Sequence, residues 1–279
     1  MTISVPPAKL ARTCDLLRQW PACRSHAPEA EVSSLIGKLL HLCEVVRPGK
    51  CFVGRMLNQL GLPPYQRWQD KCQSKLAASR GARASAGGRG RIWLGPEFHA
   101  DVEFWRLIVT WGMRSSAGTL EATLYSLYPQ RPSHTLWSGA SGDALGRYCL
   151  ESGLWWRLDL DANVRARLRS CNKHQDDLSI NLLELLGMVI TAWVFVVQAR
   201  SRPTYARESI LMRGDNQTAA HWVTTCKGGK EPRSGALMRI LGGLETRSGW
   251  CFTAAHVAGV ANTLADGISR WDSPSISVN

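Results

Sequence analysis

The run from Ile180 to Val197 constrains the fold more than any other segment. It is apolar at nearly every position and is broken only by Asn181 and Glu184. Its uncharged part, Leu185 to Val197, is shorter than the roughly 20 residues that a bilayer-spanning helix needs. A helix buried in a protein core is therefore expected, and the chain must supply structure to cover it. An acid among Leu182, Leu183, Leu185 and Leu186 is costly to bury unless it is paired or metal-bound. A glutamate favoured by the helix dipole is the plainer reading of Glu184 at this point.

The covering structure is legible on both sides of that helix. Thr135 to Ser138 is a short apolar-rich run that ends at small residues. Ala144–Leu150 and Leu154–Leu160 follow, separated by the hairpin punctuation Glu151-Ser-Gly153. Downstream, Ser209–Met212 reads as a strand leading into Asp215, and Trp250–His256 as a last strand. Thr218–Cys226, Ser234–Arg247 and Ala261–Ser269 read as helices. The order β-β-β-α-β-α-α-β-α describes an α/β fold with a mixed five-stranded sheet and flanking helices.

Upstream, residues 1–75 read as mostly helical. Leu16-Leu17, Leu35-Ile36, Leu39-Leu40 and Met56-Leu57 are spaced for an apolar face, and Arg47-Pro-Gly49 marks a turn between helices. Residues 76–132 hold a linker and one short helix. The Gly-, Ala- and Arg-rich stretch Ser79–Arg91 reads as a loop or as an arm touching nucleic acid, and Glu97–Thr110 places Phe98, Val102, Trp105 and Ile108 or Val109 on one face. Residues 133–272 form the α/β region and 273–279 a tail. No internal repeat is present.

The net charge of +12 favours a polyanionic partner, and the 44% hydrophobic content with 12 Trp is enough for a sizeable core. The first residues lack a basic-then-apolar signal pattern, so an intracellular site, cytoplasmic or nuclear, is expected rather than secretion or a membrane. The nine cysteines form neither a Cys-x-x-Cys pair nor a Cys/His zinc spacing. They read as thiols in a reducing compartment.

Three acids stand where elements begin or end: Glu184 in the first turns of the apolar helix, Asp215 between a strand and a helix, and Asp266 in the last helix. Asp215 also reads as a simple helix cap and Asp266 as a surface acid. Carboxylates brought together from separate elements hold hard cations such as Mg²⁺, and two such ions about 4 Å apart can activate water and stabilise a leaving oxygen.

Taken together, Glu184, Gly214-Asp215 after a strand, and His256…Asn262-x-x-Ala265-Asp266-x-x-Ser269-Arg270 resemble the ribonuclease H domain of retroelement reverse transcriptases. Leu35-Ile-Gly-Lys-Leu-Leu40, Arg47-Pro-Gly49, Met56-Leu57 and Glu97-Phe-His-Ala-Asp-Val-Glu-Phe-Trp105 are similar to the thumb and connection segments that precede it. The resemblance implies a ribonuclease H-like sheet and Mg²⁺- or Mn²⁺-dependent, two-metal cleavage of RNA in RNA–DNA hybrids. It also implies metal ligation by Glu184, Asp215 and Asp266, with His256 aiding product release or proton transfer. The polymerase fingers and palm have no counterpart, so a polymerase portion would be a separate partner. Asn181 and Gln217 match groove-contacting positions, and Lys227, Lys230 and Arg233 form a basic segment suited to phosphates.

The chain departs from the family at its first carboxylate, where Gly139 stands within the expected turn Ser138–Gly142. Asp143, roughly 13 Å along an extended chain, replaces it only if the turn folds back. The family often has a paired glycine where Gly146-Arg147 stands, and a proline where Ala258 stands. These departures imply a decayed copy with impaired cleavage, and the alternative is a non-catalytic nucleic-acid-binding domain. A tyrosine recombinase is excluded, because no tyrosine follows Tyr205 and no Arg…His-x-x-Arg set is present.

Overall fold

The computed structural model describes residues 2–60, 91–123, 131–170, 178–199, 208–229 and 232–271. Most of the Ser79–Arg91 stretch, Lys230 and the tail lie outside the described residues. The chain divides into two compact units, Met1–Tyr128 and Pro129–Asn279.

The first unit is built from helices α1 (Pro7–Arg18), α2 (Glu29–Leu42), α3 (Gly49–Gln59) and α4 (Pro96–Arg114). Leu17, Leu35, Ile36, Leu39 and Met56 are buried while Leu40 is exposed, because adjacent helix positions point about 100° apart and only one stripe can face inward. On α4 the expected stripe Phe98, Val102, Trp105, Ile108 and Val109 is buried throughout, and the helix runs to Arg114, four residues beyond expectation. Asp101 is fully buried and takes a forked contact from Arg55, at 2.7 Å from Nε and 2.8 Å from a terminal nitrogen. Two short antiparallel pairs were not expected. They join β1 (Thr2–Ser4) to β4 (Glu121–Thr123) and β2 (His26–Pro28) to β3 (Arg91–Trp93). Three-residue strands show too few alternations to be read from sequence.

The second unit is an α/β layer around one mixed sheet. Its strands are β5 (His134–Ala140), β6 (Ala144–Cys149), β7 (Leu154–Asp159), β8 (Ser209–Gly214) and β9 (Cys251–His256), in the order β7-β6-β5-β8-β9. The first three pair antiparallel, while β8 runs parallel to both β5 and β9. The expected strand content and mixed character are present. Among the described residues one helix was missed: α5 (Ala162–Ser170), which comes before α6 (Ile180–Ala199). It starts where the Asp161 carboxylate accepts the Asn163 N–H at 2.7 Å, and its Val164 and Leu168 pack on buried Leu145, Leu160 and Leu183. Two apolar residues in an Arg-rich segment gave too weak a period to register.

By length and composition the window Ile180–Val197 also passes for a membrane span. In this structure Leu182, Leu183, Leu185, Met188, Val189, Ala192, Phe195 and Val196 of α6 are buried, leaving Ile180, Trp193 and Val197 outward. Each buried aliphatic side chain contributes about 1.5–3 kcal/mol. Helices α7 (Gln217–Thr225) and α8 (Pro232–Ser248) adjoin α6. A 3₁₀ turn at Gly259–Ala261 and helix α9 (Thr263–Arg270) close the unit.

Successive strand residues face opposite sides of a sheet. Arg147 points to α6. Its neighbour Gly146 points to α9, which lies so close that a Cβ on Gly146 would stand 2.6 Å from the Ala265 carbonyl oxygen. Helix α9 is fastened there by the Ser141 hydroxyl, which donates to the Ser269 carbonyl at 2.9 Å, and by Arg157, which donates to that of Ile268 at 2.8 Å.

Candidate functional site

The parallel pairing of β5 and β8 sets the register of the site. Ser138 lies opposite Gly214, and Gly214 lies opposite His256 on β9. Gly139, Asp215 and Val257 therefore lie side by side at one edge, near the carboxyl ends of parallel strands, where α/β sheets commonly bind ligands. Strand β5 continues through Ala140, so Gly139 belongs to the strand and not to the turn. The turn is Ser141–Asp143, tied by the Ser141 hydroxyl, which accepts the N–H groups of Asp143 and Ala144 at 3.2 and 3.0 Å.

Two of the three acids flank Gly139–Ala140 from opposite faces of the sheet. From α6, Glu184 is buried and its Oε1 accepts the Ala140 N–H at 2.6 Å. From α9, Asp266 places Oδ1 just 3.1 Å from where a Cβ on Gly139 would stand. Asp215 follows β8 and is half-buried, with Oδ2 at 3.5 Å from the corresponding point on Gly259. It does not cap α7. That task falls to Asn216, whose Oδ1 accepts the Ala219 N–H at 2.9 Å. Burial pushes the Glu184 carboxyl above the ordinary carboxylate range. The Arg147 charge and the Ala140 N–H oppose this, and the charges of Asp215 and Asp266 reinforce it. All three acids therefore share one electrostatic neighbourhood.

Arg147 is the member that sequence reasoning missed. It is completely buried, and its guanidinium lies between β5, β6 and α6. One terminal nitrogen donates to the carbonyls of Gly139 and, at 2.8 Å, Gly146. The other donates to the Glu184 carbonyl at 3.2 Å and to Glu184 Oε2 at 3.3 Å. Only Nε lacks a partner. Burial draws the guanidinium pKa below its usual value, and Glu184 and then Asp215 pull it back. The strand pattern held the signal: Leu145, Arg147 and Cys149 share one face by alternation, so an arginine was threaded into an apolar stripe. Room for it comes from Gly187 on α6, since any Cβ there would collide with the guanidinium. Asn262, quoted in the motif but given no role there, is buried; its Nδ2 donates to the Ser138 carbonyl at 2.7 Å and ties the start of α9 to β5.

The remaining expected residues fall in three places. His256 is exposed at the end of β9, on the same edge. Asn181 also reaches that edge, where its Oδ1 accepts from Asn216 Nδ2 at 2.7 Å, and exposed Gln217 opens α7 beside it. Lys227 and Arg233 are exposed beyond the far end of α7, a helix length or roughly 14 Å away. Asp143 is exposed and faces Arg165 at 3.8 Å, and Arg270 stands 3.5 Å from Asp266 Oδ2.

The donors gathered here do not fit a pair of divalent cations. Gly139 offers no oxygen from its side chain. Both oxygens of Glu184 are engaged, one by a backbone N–H and one by a guanidinium, and a fixed positive charge disfavours a second cation alongside. Among the described residues no three His, Cys, Asp or Glu side chains assume a metal-holding arrangement. Compared with known proteins, the chain matches no family model and no curated protein sequence.

Proposed function

We propose that residues 133–272 are a ribonuclease H-like domain descended from a retroelement reverse transcriptase, and that it binds nucleic acid with a degenerate hydrolytic centre. One observation carries this reading. Residues far apart in sequence, Gly139, Glu184, Asp215 and Asp266, converge on one strand-end edge in the chain order that the resemblance requires. The helical first unit accords with thumb and connection remnants, and a polymerase portion would be a separate partner.

Cleavage by two Mg²⁺ or Mn²⁺ ions is the ancestral chemistry under this reading. Gly139 and the Arg147–Glu184 pair favour the non-catalytic form in this chain. The retained function is contact with an RNA–DNA hybrid or duplex, read through backbone and groove shape inside the cell. Asn181, Gln217 and His256 line the edge, and Lys227 and Arg233, with Lys230, supply charge along the groove.

The test is hybrid binding by the full chain over a salt series, with cleavage of the labelled hybrid followed in parallel. Affinity should fall steeply with salt, and alanine at Lys227 and Arg233 together should reduce the slope by about two, one for each phosphate no longer neutralised. Binding that ignores salt, or none at all, sinks the proposal. Rapid cleavage would restore the catalytic reading.

A further inference from the structure

The buried guanidinium of Arg147 has a consequence for the carboxylates around it. A charged group in a dry interior persists only when its charge and hydrogen bonds are met. Arginine keeps its proton under all ordinary conditions, so this positive charge is permanent. Four of its five N–H directions end on carbonyls or on Glu184. The chain has also cleared space for it, since Gly187 would clash with the guanidinium if it bore any side chain. A chance surface arginine would show neither the cleared space nor these partners.

We propose that Arg147 is the permanent counterion of the strand-end carboxylates, holding the charge-balancing place of a divalent cation, so that this unit keeps its fold without metal and gains no stability from it. The guanidinium reaches Glu184 within the buried layer between the sheet and α6. It also fixes the Gly139 carbonyl, and with it the end of β5. Asp266 is answered separately by Arg270 at the surface. Two arginines, one buried and one exposed, thus oppose the three carboxylates in place of exchangeable ions, Asp215 feeling the Arg147 charge from further off. This inference is independent of nucleic-acid binding, which the experiment below does not read.

The experiment follows thermal unfolding of the full chain in chelator, in millimolar Mg²⁺ and in millimolar Mn²⁺. The variants are Arg147→Met, Glu184→Gln and the double substitution. The unchanged protein should give one midpoint in all three conditions. Arg147→Met strands a buried carboxylate and should lower the midpoint by about 10 °C. It should recover part of that loss in Mn²⁺, because the cluster then lacks its cation. The double variant, with neither charge, should lie above both single variants in chelator. A midpoint of the unchanged protein that rises with Mn²⁺, with the rise abolished by Glu184→Gln, overturns the proposal. Equal midpoints for Arg147→Met and the unchanged protein do the same. If Arg147→Met does not fold, Mn²⁺ binding to the unchanged chain decides by electron paramagnetic resonance. Saturable binding lost in Glu184→Gln overturns the proposal, and its absence upholds it.

Discussion

Gly139→Asp adds the one carboxylate that the ribonuclease H-like reading proposed above calls for, and the structure fixes what it should cost. The new Cβ would lie 3.0 Å from the Ala265 carbonyl carbon and 3.1 Å from both the Asp266 backbone nitrogen and Oδ1. These contacts are with backbone as well as side chain, so α9 must retreat by a few tenths of an ångström. Overpacking of this kind costs about 1–2 kcal/mol. The added charge then stands roughly 5 Å from that of Asp266. At an effective dielectric of about 20 two unit charges at that separation repel by about 3 kcal/mol, and the partial exposure of Asp266 reduces this to about half by screening. We predict a total loss of about 2–4 kcal/mol, roughly 5–15 °C in midpoint, measured in chelator. Gly139→Asn separates the two contributions, because it carries the bulk without the charge. It should lose about 1–2 kcal/mol. Hybrid cleavage should stay undetectable in Gly139→Asp alone, because Glu184 remains committed to Arg147, and should emerge only when Arg147→Gly is added. An Asp variant as stable as its Asn counterpart, or one that cleaves hybrid on its own, refutes this reasoning.

Further predictions concern the surroundings of the site. Gly187→Ala should destabilise the unchanged protein, yet be tolerated when combined with Arg147→Gly, since the clash is with the guanidinium itself. Chemical denaturation of all three variants checks this. Asn262→Ala leaves the buried Ser138 carbonyl without its donor and should cost about 1–3 kcal/mol in the same assay. Glu151 tests the opposite end of the sheet. Burial alone would raise its pKa, but hydrogen bonds from its own backbone, Cys149 and Thr135, with His134 nearby, hold it below the ordinary carboxylate value. A depressed folded pKa gives stability that is present above the unfolded value and lost as pH falls through the folded one. Glu151→Gln should therefore be the less stable protein near neutrality, with the gap closing in acid. A gap that is constant across acid titration would show that the carboxylate charge is not what matters there.

The fold was more legible than the chemistry. Long elements such as α4 and α6 declared themselves, α4 by its apolar period and α6 by its nearly unbroken apolar run. The mixed sheet followed from the order of short alternating runs. Local features failed where the signal was short or non-local. The three-residue strands and α5 lacked enough period, and β5 runs on past Ser138 through Gly139 and Ala140, small residues with the sequence signature of a turn. In the structure the bare Gly139 lets Asp266 approach the strand, and the Ala140 N–H is what Glu184 binds. The acids were identifiable as a set only through their order along the chain. Arg147 was visible as a departure from a glycine, but its role depended on Gly187, forty positions away, and no local pattern joins the two.

The pairing of Gly139 with Arg147 also bears on how such a site decays. Under the reading proposed above, an ancestral edge with four carboxylates would have depended on bound cations for its charge balance. Loss of the first carboxylate removes one negative charge and one metal ligand together, leaving three acids and a weakened hold on metal. An arginine at position 147 then supplies an internal cation, at a point where it can bond the carbonyl of the residue that lost its side-chain oxygen. The reverse order is less favourable. A guanidinium entering while metal is still bound would place positive charges against one another across Glu184, in a buried setting where repulsion is poorly screened. The substitution at 139 therefore precedes the one at 147 in the physically easier route. Arg147→Gly in the present background should then be worse than Gly139→Asp plus Arg147→Gly in Mn²⁺, because only the second combination regains a full set of oxygens for the cation it needs. Equal midpoints for the two in Mn²⁺ would remove the dependence between the sites and with it this order of events.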